Sequence, residues 1–302
     1  MSTNWKETIE SGEVLLIDGA MGTELQRRDV PMSMEAWSGT AVRLHAETVR
    51  EVHEDYIRAG AQVIITNTFG SNRLMLEGAG LADEVVSINQ QAVQSAMQAR
   101  DNVEAPGISV AGSISAMPPS FDWSVYPEAQ VELDAYRELA GILVEGGVDI
   151  IALEMMMEDV HAPLAMQAAL ETGLPIWLGV SCKEHPNSGD VVSFSHEEVP
   201  FDVPLEALIP MKPDMVNIMH SEIRTIHRAI EMVKKRWDGP IGVYPESGHF
   251  VQPNWDFVDV IPADDLAIEA QSWLQSGVQL LGGCCGTGPE HIRALRSLLE
   301  PK

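Results

Sequence analysis

The chain has 302 residues, 45% of them hydrophobic, which suits one large core or two small ones. Its 45 acidic residues against 19 basic ones give a formal net charge of −26, so neither nucleic acid nor an anionic membrane surface is an expected partner. No apolar run reaches the roughly 18 residues of a membrane span, and three cysteines in such a length indicate a reducing compartment, the cytoplasm.

From the N-terminus, the opening Met1-Ser2-Thr3-Asn4-Trp5-Lys6-Glu7 has neither the basic nor the apolar region of a signal peptide. Short apolar runs over residues 14–18, 62–66, 107–112, 148–153, 175–181, 215–218, 240–244 and 278–283 then predict eight strands. Segments of helical period lie between them, such as 46–59 and 82–99. Gly60-Ala61, Gly146-Gly147 and Ser276-Gly277 end helices just before strands. Eight β–α units predict an α/β fold, a (β/α)8 TIM barrel forming a single domain over residues 1–302. A doubly wound sheet usually has fewer strands and a glycine-rich first turn, and Gly19-Ala20-Met21-Gly22 lacks the dinucleotide spacing.

A barrel places its functional groups at the C-terminal ends of its strands. Those ends carry Asp18-Gly19, Asn67-Thr68-Phe69, Gly112-Ser113, Glu154, Ser181-Cys182, Asn217 to His220, Tyr244 and Cys284-Cys285. Adjacent cysteines are poor partners for a disulfide with each other, but their sulfurs can converge on one soft metal ion. Cys284 and Cys285 therefore predict a zinc–thiolate site.

The chain resembles the zinc-dependent homocysteine S-methyltransferases. The resemblance runs nearly end to end, through Leu16-Ile17-Asp18-Gly19-Ala20-Met21-Gly22-Thr23, Trp37-Ser38, His53-x-x-Tyr56-Ile57-x-Ala59-Gly60-Ala61 and Thr66-Asn67-Thr68-Phe69. It continues in Ala111-Gly112-Ser113-Ile114, Tyr244-Pro245-x-Ser247-Gly248 and Gly282-Gly283-Cys284-Cys285-Gly286. It implies a (β/α)8 barrel in which the double cysteine and a third thiolate, at the end of strand six, bind Zn2+. The zinc would take homocysteine sulfur as a further ligand, and the thiolate would accept a methyl group from a cationic donor.

The third ligand is where this sequence departs from the pattern. Val216-Asn217-Ile218 stands where the family has Val-Asn-Cys, and isoleucine binds no metal. Three readings stay open: His220 joins the two thiolates; Met219, a poor zinc ligand, approaches; or the site has lost zinc. Cys182 reads as structural.

By the same resemblance, Asp18 and Glu154 would hold the amino group of homocysteine, and Gly19, Asn67 and Thr68 would shape its cradle. The plainer alternatives are that the carboxylates accept local backbone amides and that Asn67 and Thr68 brace a turn. Trp37, Phe69, Trp123 and Tyr244 are candidates for an aromatic face toward an onium methyl, or are core. Met155 replaces the family's threonine after Glu154, and Glu246 replaces a common asparagine, adding negative charge near the mouth.

The expected activity is methyl transfer from S-methylmethionine, S-adenosylmethionine or betaine to homocysteine, giving methionine. The end at Lys302, without the C-terminal arm of the betaine enzymes, favours the first two donors. The alternatives are another thiol acceptor or altered metal on the same scaffold, and a zinc or small-molecule binder without turnover. Homo-oligomerisation is left open.

Overall fold

Eight parallel strands form one ring in this computed structural model, which describes residues 5–105, 107–251 and 256–300. The first four residues, part of the stretch read above for a signal peptide, and the end at Lys302 lie outside that range. The strands are β1 (Leu15–Leu16), β2 (Val63–Ile65), β3 (Ser109–Ser115), β4 (Ile150–Met156), β5 (Ile176–Val180), β6 (Met215–Glu222), β7 (Ile241–Glu246) and β8 (Leu280–Leu281). They pair in the order β1-β8-β7-β6-β5-β4-β3-β2. Ile17 bridges Val63 in parallel to close the ring, and the Asp18 amide donates to the Val63 carbonyl at 3.1 Å. The fold is a (β/α)8 TIM barrel.

Strand alternation sorts the core into two layers. Leu15, Ile17, Val63, Ile150, Trp177 and Met215 are among the side chains filling the interior. Their neighbours Leu16, Ile64, Ile151, Leu178 and Val216 face outward into a second core under the helices. The helix Trp5–Glu10 adds Trp5 to the interior, edge-on to Trp177 with ring centroids 5.2 Å apart. Helix Val42–Ala59 stops at Gly60, whose φ of 117° suits a residue without Cβ. The helix expected over 82–99 instead spans Val85–Val103, because Ala82–Glu84 form a separate 3-10 turn. Among the described residues, no helix is long and apolar enough to cross a membrane.

Two departures from expectation shape the mouth. Strands β6 and β7 run on to Glu222 and Glu246, past the ends of their apolar runs, because polar residues at the rim keep pairing with each other. The second is a three-stranded antiparallel sheet after β5, where no strand was predicted: Cys182–Glu184, Val191–Ser193 and His196–Pro200. A separate hairpin pairs His249–Val251 with Asp256–Val258. Both insertions contribute walls to the cavity at the C-terminal end of the barrel.

Candidate active site

A cavity of about 430 Å³ opens at this end of the barrel and brings together Asp18, Gly19, Asn67, Glu154, His220, Cys284 and Cys285. Among the described residues its wall contains no lysine or arginine. Its ionisable groups include carboxyls, thiols and imidazoles, and its sides are aromatic.

Asp18 leaves β1 buried, and its Oδ2 accepts the Ile65 amide at 2.8 Å. Burial pushes its carboxyl well above the usual range. The Ile65 amide opposes that shift and the nearby charge of Glu154 adds to it. Glu154 points inward from β4 and accepts the Ser113 hydroxyl. Burial raises it to about 7, against the pull of that hydrogen bond and of His220. Gly19 lies on the wall, and a Cβ there would sit 3.0 Å from Thr287 and Tyr56. Asn67 reaches the cavity, yet its amide is engaged with Ser38: Oδ1 accepts the hydroxyl at 3.0 Å and Nδ2 donates to the carbonyl at 2.8 Å. Thr68 does not line the cavity. Its hydroxyl donates to the Ser113 carbonyl at 2.8 Å and so braces the ends of β2 and β3 beneath the site.

Cys284 and Cys285 follow β8 in a tight turn. The Cys284 carbonyl accepts the Thr287 hydroxyl at 2.6 Å, and the Ser247 amide donates to the Cys285 carbonyl at 2.9 Å. Gly286 closes this turn at φ 84°, where a Cβ would lie 2.0 Å from the Ser247 carbonyl oxygen. Opposite stands His220. Alternation along β6 sends Met215 and Met219 into the barrel and Val216 and Ile218 out under the helices, so the isoleucine at the expected ligand position faces away from the mouth. Beyond Met219, three residue steps of β6 match two of β7, from Met219↔Tyr244 to Glu222↔Glu246. This bulge, with His220 at φ 40°, re-aims the imidazole into the mouth.

The ligand atoms of His220, Cys284 and Cys285 all lie within 4.8 Å of one another, with His220 Nδ1 3.4 Å from Cys284 Sγ. A tetrahedral zinc, with bonds of about 2.3 Å to sulfur and about 2.0 Å to nitrogen, sets such ligands roughly 3.5 Å apart. The trio fits a thiolate–imidazole metal site. Met219 does not compete for it, because its sulfur accepts the Met155 amide at 3.3 Å and the Ser181 hydroxyl at 3.0 Å. Cys182 is buried away from the cavity beside Thr225. Burial favours the neutral imidazole of His220, but the charges of Glu246 and Cys284 outweigh it and hold the ring at about 9. The hydrogen bond with Cys285, then burial, hold the Cys284 thiol well above its ordinary value. Ligation would displace both protons.

The family model described as homocysteine S-methyltransferase matches residues 15–299. The chain belongs to this family. It is a methyltransferase. The homocysteine S-methyltransferase of Escherichia coli (strain K12) is 28% identical, over 96% of this chain and 96% of its own length. The selenocysteine methyltransferase of Astragalus bisulcatus is 26% identical, over 96% and 94%. Among solved structures, the metallated form of the Escherichia coli homocysteine methyltransferase MmuM has a TM-score of 0.78 at 24% identity, over 97% of this chain and 98% of that one, and so shares the barrel.

Sequence reasoning about this family member missed several contributions to the site. Ser113 sits in a quoted motif, but its bond to Glu154 crosses from one strand to the next and leaves no local signal. Phe121, Phe194 and Phe257 reach the cavity from loops and insertions beyond the ends of the barrel strands. The β-branched pair Val191-Val192 was a local sign of a strand there. Trp37 and Phe69 do line the cavity, edge to face at 6.2 Å, as do Trp123 and Tyr244.

Proposed function

We propose that the chain transfers a methyl group from a small onium donor to the thiol of homocysteine, giving methionine, with Cys284, Cys285 and His220 as the protein ligands of Zn2+. The convergence of these three ligand atoms within 4.8 Å, on a cavity shared with Asp18 and Glu154, carries the reading. Family membership supports homocysteine as the acceptor. Zinc, when bound, supplies positive charge that keeps a thiol ionised near neutral pH.

The chain's own residues do the rest. Asp18 and Glu154, stripped of water on a wall that holds no lysine or arginine among the described residues, gain an ion pair when the ammonium of homocysteine enters. Trp37, Phe69 and Trp123 offer electron-rich ring faces to a cationic donor. S-methylmethionine and S-adenosylmethionine fit this description, and betaine is the third candidate. In the transfer, homocysteine sulfur bonds to the methyl carbon, the carbon–onium bond breaks toward the donor, and the opposite charges cancel. That cancellation is favoured in a cavity shielded from water, where positioning is the main demand.

Zinc content of the wild type and of His220→Ala tests the ligand set, with methionine formation assayed for each of the three donors. One tightly held zinc in the wild type and loss in the variant are expected. Equal retention in both would remove His220 from the site. A second reading is favoured by the relative named selenocysteine methyltransferase: a selenol acceptor in the same pocket, which competition between homocysteine and selenocysteine decides.

A further inference from the structure

We propose that Glu246 is the positioning residue that makes His220 a metal ligand, a step that rests on the ligand set proposed above. The carboxylate Oε2 stands 3.3 Å from His220 Nε2, on the side of the ring opposite the cysteines. Among the described residues, His220 is the one hydrogen-bonding or ion-pairing partner of this side chain. Glu246 is also largely sheltered, its side chain 15% exposed.

A carboxylate can only accept, so it selects the tautomer with the proton on Nε2 and leaves the Nδ1 lone pair for a metal. In this structure Nδ1 is the nitrogen that faces Cys284, at 3.4 Å. Phe194 limits the remaining freedom, lying edge-on to the imidazole with centroids 4.6 Å apart. The bulge that turns His220 inward lies across from the Tyr244–Glu246 segment of β7, so one irregularity delivers both members of the pair. Carboxylates that orient a ligating histidine in this way typically change metal affinity by about 10- to 100-fold.

The test is a double-mutant cycle on zinc affinity, measured by competition with a chromogenic chelator. Glu246→Ala is expected to weaken zinc binding by about 10- to 100-fold, and Glu246→Gln, which keeps an acceptor oxygen, to recover most of that loss. In a His220→Cys background, Glu246→Ala is expected to change nothing, because no ring remains to be oriented. An equal loss in both backgrounds would show Glu246 acting by ligation or by charge alone, and overturns the proposal. So would an unchanged affinity in Glu246→Ala when His220→Ala binds poorly, which leaves the ligand set standing. An unchanged affinity in His220→Ala removes the ligand set and this role together.

Discussion

Glu154 carries a conflict that only a ligand resolves. The residue is 8% exposed and lines a wall that, among the described residues, holds no lysine or arginine. Held at about 7 rather than near the ordinary 4.5, it binds its proton more tightly in the folded than in the unfolded protein. Its contribution to stability is therefore full below about pH 4.5 and lost as the pH rises through 7, a cost of about 3 kcal/mol. Glu154→Gln, neutral throughout, escapes that cost. Urea unfolding at pH 5 and pH 8 should show the difference in stability moving toward the variant by up to that amount, and parallel pH profiles would refute the assignment. The same variant should raise KM for homocysteine about 10- to 100-fold, the equivalent of a lost charge-assisted hydrogen bond of about 1.5–3 kcal/mol. At this scale the sequence displayed Cys284 and Cys285 plainly, because adjacency in the chain makes adjacency in space unavoidable. His220 was one of three open readings, since nothing local says which residue after Met219 turns inward.

At the scale of the element, the C-terminal end of β6 decides which side chain joins the two cysteines at the proposed metal site. Alternation buries Ile218 beneath the helices, and the bulge with His220 at φ 40° breaks that alternation to bring in an imidazole. Restoring a cysteine at 218 should therefore not restore a ligand. Ile218→Cys is expected to leave zinc affinity within about twofold of the wild type and to cost about 1–2 kcal/mol of unfolding free energy, from methyl groups lost in the outer core. A clear gain in zinc affinity would mean that this strand end can re-register. The turn after β8 is as demanding. Gly286→Ala places a methyl group 2.0 Å from the Ser247 carbonyl at a φ of 84°, so both unfolding free energy (by more than about 2 kcal/mol) and zinc affinity should fall. The eight strands were legible as apolar runs, but their rims were not. Hydropathy stops at 218 and 244, while ladder pairing carries the strands on to Glu222 and Glu246.

For the molecule as a whole, the proposed metal site is expected to be separable from the fold. The barrel's two cores are built from apolar side chains of the strands and helices, and of the three proposed ligands Cys284 alone packs against one of them. Chelation should abolish methyl transfer and leave far-UV circular dichroism unchanged, while added zinc raises Tm. At a free zinc concentration 100 times Kd the gain is about 2.7 kcal/mol. Collapse of the fold on chelation would contradict this separation. The net charge of −26 predicts self-repulsion that salt screens, so Tm in 1 M NaCl should exceed that in 0.05 M by several degrees.

By itself, the sequence determined the barrel, the family and the paired cysteines, because strand periodicity, turn glycines and chain adjacency are local properties. Only the tertiary structure decided which atoms share the cavity: that Thr68 braces the strands beneath it, that Ile218 faces the helices, and that Glu246 stands behind His220. Those outcomes depend on register between strands and on one inserted residue in a parallel ladder, relations between segments far apart in the chain that leave no mark on the sequence of either.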